Sequence, residues 1–277
     1  MNSASFFTQT SIYFKKIRRI ATKEKFWKFI VFALIISVIV AAVVGNDMFT
    51  TYESTKSGFF TIASAGIWIG IFNSIQNICK EHDIIRAEYR SGMKISSYIT
   101  ANVLWQFVIC LIQSIIMITI CSIFIDFNDK GLIFGSAILE YFITIFLITF
   151  GADILGIMIS SISGTPTTAM TIMPFVLILQ LIMSGVLFDL SGWSEKISYI
   201  TFSKWGMSAL GSIADLNSNE FPLKLSEVFP QVVKFETESC YDHSASNLLT
   251  GWLWCIGISA FCYIISMLSL KIKNHDS

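Results

Sequence analysis

The sequence predicts an all-α membrane protein with six transmembrane helices. Three observations carry this reading. Hydrophobic residues fill 54% of the 277 positions and charged residues 14%, and the mean hydropathy is +0.67, more apolar surface than a soluble core needs. The apolar residues gather into six long runs without the period-two alternation of a barrel strand. The polar residues gather between the runs, densest in "KEHDIIRAEYRSGMKISSY" at Lys80–Tyr98.

Residues 1–25 come first. In "SFFTQTSIYFKKIRRIATKEKFWKF", Phe6, Phe7, Ile12, Phe14, Ile17 and Ile20 recur at helical spacing and the basic residues face the other way. An amphipathic helix along the inner leaflet fits, and so does a simple positive anchor for the first span. Residues 26–277 form the spanning domain. Its runs are Phe26–Val44, Phe59–Ile78, Ile99–Ile125, Leu132–Ile159, Ala169–Leu187 and Leu248–Leu270, each near or above the ~20 residues that cross a hydrocarbon layer. The third and fourth are long enough to tilt. Pro166 starts the fifth and Pro174 kinks it.

An even number of spans places both termini on one side, and basic residues choose the side. Thirteen lysines and arginines lie on the terminal side, Lys25 among them, and six on the other, including Lys224 and Lys234; all four arginines are in the first group. The termini and residues 80–98 are therefore expected in the cytoplasm of a cell with its plasma membrane as the home of the chain. The opposite loops carry acids such as Asp47 and Asp126, and residues 188–247 form one long outer loop whose "SGWSEKISYITFSKWGMSALGSIADL" suits interfacial helices.

Net charge is zero, so no basic field points to nucleic acid. No Cys or His spacing suits a metal. Five of the six cysteines sit in or beside apolar runs as small apolar residues. Cys240 stands alone in the outer loop, a free thiol or a bridge to a second copy.

Residues 80–98 are too polar to cross and too regular for a linker. Ile84, Ile85, Tyr89 and Met93 make an apolar stripe; Glu81, Arg86, Glu88, Arg90 and Lys94 carry charge around it. Two short helices hinged at Ser91-Gly92 would offer those charges to a partner, and a solvated loop is the plain alternative.

Inside the membrane, Glu140 and Asp153 share the fourth run, about 220° apart around the helix, so they do not form one relay. Asp153 is expected to pair with Arg86, Arg90 or an N-terminal lysine. Gly66, Gly70, Asn73 and Asn77 share a stripe of the second run, a pattern for close helix contact with hydrogen bonds across it.

"EYRSGMKISSY" resembles the segment after the second span in G-subfamily ABC half-transporters and related bacterial type-2 ABC permeases. "SGVLFDL" at Ser184–Leu190 and "ISYITFSKWGMSAL" at Ile197–Leu210 are similar to later segments of that family, in the same order. The stretch from Gly92 to Ser96 is one residue shorter than in the multidrug members. The resemblance implies that residues 80–98 are a coupling helix seated on an ATP-binding cassette subunit, with Glu81 joining a polar relay and Arg86, Glu88, Arg90 and Lys94 beside it. It makes residues 1–25 a connecting helix and Val186 and Leu187 an outer plug. It also turns the second and fifth spans toward a dimer axis, where Ile69, Phe72, Asn73, Gln76, Phe175, Leu179, Gln180 and Met183 would line a substrate cavity; helix packing in the core or against lipid is the plain alternative for the same residues.

No G-x-x-x-x-G-K-[ST] phosphate loop occurs. ATP and magnesium are expected on the partner subunit, with no cofactor on this chain. A second permease chain, the same or similar, and membrane lipids complete the expected partners. The function implied is export of an amphipathic or apolar substrate: a drug, peptide or lipid. One rival is a proton-coupled secondary transporter using Glu140 or Asp153, although the halves show no inverted repeat. The other is a membrane enzyme, for which His82, His243 and His275 are too scattered.

Overall fold

The computed structural model describes residues 5–24, 26–45, 48–217 and 238–275. Lys25, Asp47, Lys224, Lys234 and the middle of the long loop lie outside them. The described residues are helical throughout, with turns and no strand.

The amphipathic α1 (Phe6–Lys23) leads into α2 (Trp27–Val44) and α3 (Tyr52–Ser74). A 3-10 turn at Cys79–Glu81 precedes the short α4 (His82–Arg90), and α5 (Ile95–Phe124) and α6 (Ala137–Ile162) follow. Then come α7 (Pro166–Ile182), α8 (Trp193–Ser198), α9 (Phe202–Ile213), a 3-10 turn at Ser239–Tyr241 and α10 (Ala245–His275). Among the described residues, five stretches, carried by α2, α3, α5, α6 and α10, are long and apolar enough to cross a membrane. The sequence reading of six is thus met by five clear candidates. With 17 residues α7 is the short one, rising about 25 Å against a hydrocarbon layer of about 30 Å.

Helix ends differ from the apolar runs for local reasons. α3 begins seven residues before the expected Phe59 because Thr51 and Ser54 cap each other's backbone N–H. α6 begins at Ala137, not at Leu132. The Glu140 carboxylate accepts the N–H groups of Leu132, Ile133 and Phe134, which holds that apolar segment out of the helix. Pro166 opens α7 as expected, behind Thr165, whose hydroxyl accepts the N–H of Thr168.

The centre of the fold is the α3–α6 pair. A Cβ on Gly70 would strike the Thr149 carbonyl oxygen, and one on Gly156 would strike the Ser74 hydroxyl. Glycine at these positions lets two backbones meet, as the Gly66–Gly70 spacing predicts. Tyr141 stacks on Phe59 across the same seam, ring centroids 5.4 Å apart. The outer-loop expectation is corrected at α9. Its residues are almost all buried against α3, α6 and α10 rather than lying along a leaflet. Only α8 keeps the interfacial look, with Trp193 exposed.

Both chain ends meet the charged stretch at one end of the bundle. The Ser97 hydroxyl donates to the Phe6 carbonyl, and the Lys273 ammonium donates to the carbonyls of Ser161, Ile162 and Ser163 at the C-terminus of α6. At the opposite end, Asn217 and Glu238 bond reciprocally: the Asn217 amide donates to the Glu238 carbonyl at 2.8 Å and accepts the Glu238 N–H at 3.2 Å.

Candidate functional site

The charged stretch folds as one short helix, not two. α4 ends at Arg90, the chain turns through Ser91 and Gly92, and α5 is under way by Ile95. Gly92 has φ +99°, open to glycine and strained for other residues, which fixes the turn at the expected hinge. Ser96–Tyr98, expected in the second short helix, form the first turns of α5.

Ile85 roots α4 in a small core with Ile78, Met93, Tyr98, Ile157 and Leu270. That leaves Asp83, Ile84, Arg86 and Arg90 on the exposed side. α1 lies alongside. The Gln9 side chain donates to the Gly92 carbonyl at 3.2 Å and accepts the Lys94 N–H at 2.9 Å, which explains why a glutamine is buried on a helix whose phenylalanine Phe7 is exposed. Lys16 pairs with Glu88, and Tyr13 meets Tyr98 edge-on with ring centroids 5.8 Å apart. The Tyr98 hydroxyl donates to Glu81 at 2.7 Å. Below, the Ser160 hydroxyl at the foot of α6 accepts the N–H groups of Ile78 and Cys79, joining the 3-10 turn to the central pair. α1, α4 and the ends of α3, α5 and α6 are therefore one connected body, with charge on one face of α4.

A polar path continues into the bundle. Asn73 on α3 and Gln113 on α5 exchange amide hydrogen bonds at 2.7 and 3.1 Å, Gln106 donates to the Asn73 carbonyl, and Gln113 also reaches the Phe29 carbonyl on α2. The asparagine thus bonds to α5, not across the glycine seam to α6. Asp153 is wholly buried on α6, and neither of its side-chain oxygens has a hydrogen-bond partner. The pairing with Arg86, Arg90 or a lysine does not form, because Asp153 stands more than two helical turns from the end that holds those cations. Glu140 is occupied with loop backbone. A cavity of about 770 Å³ opens between α1, α2, α3 and α5 beside this path.

A family model for ABC-2 type transporters matches residues 4–214, from the start of α1 to the end of α9. The chain belongs to this family. The ABC-2 membrane chain is the permease part of such a transporter, and membership implies pairing with an ATP-binding subunit. A curated relative, ABC transporter ATP-binding/permease protein Rv1747 of Mycobacterium tuberculosis, is 24% identical over 153 residues, which is 54% of this chain and 18% of that protein. The chain thus matches less than a fifth of that relative's length.

In this ABC-2 chain the five expected coupling residues divide. Arg86 and Arg90 face outward, Glu81 and Glu88 are engaged by Tyr98 and Lys16, and the Lys94 N–H is held by Gln9. The eight expected cavity residues do not share one wall. Phe72 and Asn73 line the 770 Å³ cavity. Ile69 is in the central core, Gln76 is half-buried, and Gln180 accepts the N–H of Ser203. Met183 is buried, while Phe175 and Leu179 are exposed on α7. Of the plug pair, Val186 packs on the core and Leu187 is exposed. Sequence reasoning missed Gln9, Lys16 and Tyr98 as the residues that bind the charged stretch. The one available signal was Tyr98, which ends the quoted "ISSY".

Cys240 remains a free thiol whose sulfur contacts Glu238. Burial, and then the neighbouring Glu238 charge, push its pKa up to about 12.

Proposed function

We propose that this chain is the permease subunit of an ABC exporter, with both termini in the cytoplasm of a cell and the plasma membrane crossed six times. The sixth crossing is α7. Its support is topological: Lys273 on α10 caps the end of α6, so α6 and α10 finish together, and the chain between them has to return. The single observation that carries the functional reading is the exposed charged face of α4, rooted by Ile85 and bound to α1 through Gln9 and Lys16. An ATP-binding subunit, holding ATP and magnesium, docks on that face, and Glu81 passes its movement through Tyr98 into α5. A second permease chain completes the pathway. The exposed α7 residues Phe175 and Leu179 then face the partner and the substrate, and Val186 with Leu187 closes the outer end. Apolar walls of this kind suit an amphipathic or apolar drug, peptide or lipid. Glu140 supports no proton-coupled alternative, since it is committed to loop backbone.

The test is site-directed cross-linking in membranes that contain both subunits. Single cysteines at Ile84 and Arg86 should cross-link to the ATP-binding subunit, and one at Ile123, on the far end of α5, should not. Absence of any cross-link from α4 removes the proposal.

A further inference from the structure

The cavity between α1, α2, α3 and α5 has a graded lining. Its rim holds Glu24, Lys28 and Lys80, all exposed, and Glu81. Farther in stand the amides of Asn73, Asn102 and Gln106, each buried. Apart from Asn77 the remaining wall is apolar and includes Phe29, Phe32, Phe72, Trp105 and Ile109. By helical rise, Phe32 lies about 6 Å deeper than Lys28, and Ile109 about 10 Å deeper than Asn102. Charged, amide and hydrocarbon groups, the three chemistries a lipid presents in its headgroup, ester region and chain, thus line one cavity.

The rim charges balance, two cationic and two anionic. None of the four takes part in a salt bridge among the described residues, where the ion pairs are Lys16–Glu88 and Lys56–Glu238. Two lysines and two glutamates around one opening, Glu81 among them already accepting the Tyr98 hydroxyl, match a ligand that carries a phosphate and an ammonium together. Phe29 and Phe32 are also partly exposed on α2, which gives a chain lying in the cavity an apolar way out. The volume, about 770 Å³, falls within the roughly 300–1,000 Å³ of small-molecule sites and accommodates a headgroup, glycerol and part of one chain.

We infer that this cavity binds one zwitterionic glycerophospholipid from the leaflet beside α1, its phosphate toward Lys28 and Lys80 and its amine toward Glu24 and Glu81. A lipid seated there touches the amphipathic helix, the start of α2 and the turn before α4 at once. Every residue of its lining belongs to a single chain.

The test uses the full chain in vesicles with no ATP-binding subunit and no nucleotide, so its result does not depend on whether the chain transports anything. The vesicles contain phosphatidylethanolamine and phosphatidylglycerol, and either lipid carries a diazirine near the top of one acyl chain. Light should label Phe29 or Trp105 from the ethanolamine lipid in preference to the glycerol lipid, as read by peptide mass spectrometry. Ala21→Trp, which fills the cavity from α1, should abolish that label, with Ile17→Trp as a second obstruction one turn away. Glu24→Gln, an exposed change, should shift the preference toward the anionic lipid. Equal labelling by both lipids in the unaltered chain overturns the inference. So does undiminished labelling in the folded Trp variants, or a lipid preference that Glu24→Gln leaves unchanged.

Discussion

The Tyr98 hydroxyl donates to the Glu81 carboxylate at 2.7 Å, tying α5 to the 3-10 turn that leads into α4. Tyr98 is buried and Glu81 half-buried. A hydrogen bond to a charged group in such a place is worth about 2 kcal/mol. Tyr98→Phe is expected to lower stability by that order in a detergent unfolding assay. It should also weaken the link between ATP hydrolysis and transport, and Glu81→Ala should sever that link while the chain still assembles in the membrane. Coupled transport at the native rate in Glu81→Ala would falsify the relay.

Lys16 and Glu88 are both partly exposed, so their ion pair contributes less than about 1 kcal/mol and is weakened by salt. Lys16→Glu alone places two carboxylates together and is expected to loosen α1 from α4. The exchange Lys16→Glu with Glu88→Lys should restore the contact. Protease access to the residues between α1 and α2 measures it, and a double variant as accessible as the single one argues against the pair.

Two glycines of the α3–α6 seam and one exposed on α10 make a ranked series. Gly70→Ala drives a Cβ into the Thr149 backbone and is expected to cost about 3 kcal/mol or prevent assembly. Gly66→Ala meets the Thr149 hydroxyl, a side-chain atom that can yield, and should cost less. Gly257→Ala meets nothing within 4 Å and should be neutral or stabilising. Thermal unfolding of the three in one detergent checks the order.

Glu140 and Asp153 should part company under substitution. Glu140→Gln points an amide N–H₂ at loop N–H donors and removes a charge that three of them share, so about 3 kcal/mol of stability is expected to go. Asp153→Asn loses no hydrogen bond made by the side chain and should retain the fold. ATP-driven transport by the unaltered chain should be insensitive to collapse of the proton gradient, and Asp153→Asn should keep it; sensitivity of the unaltered chain would reopen the secondary-transport reading.

The Cys240 thiol, raised to about 12, stays protonated at neutral pH, and the thiolate is the reactive form. Maleimide labelling at pH 7–9 should be slow and should climb only in strong base. Glu238→Gln removes a charge that disfavours the thiolate and should speed labelling at a given pH. Rapid labelling of the unaltered chain would contradict the arrangement.

The six apolar runs and the charged stretch could be read directly because lipid imposes them on composition. Other features depended on contacts that no window of sequence contains. Leu132–Phe134 reads as the start of a span, and only the Glu140 carboxylate eight residues on takes their N–H groups. α9 carries the aromatic pattern of an interfacial helix, yet α3, α6 and α10 enclose it. In the site, the charges of residues 80–98 were visible, but which of them turn inward was not. Glu88 is claimed by Lys16, 72 positions away, and Gln9 binds both sides of the Gly92 turn from the far end of the chain.

The reciprocal bonds between Asn217 and Glu238 close the two attachment points of residues 218–237 onto each other. The end of α9 and the turn that leads into α10 are thereby held against each other.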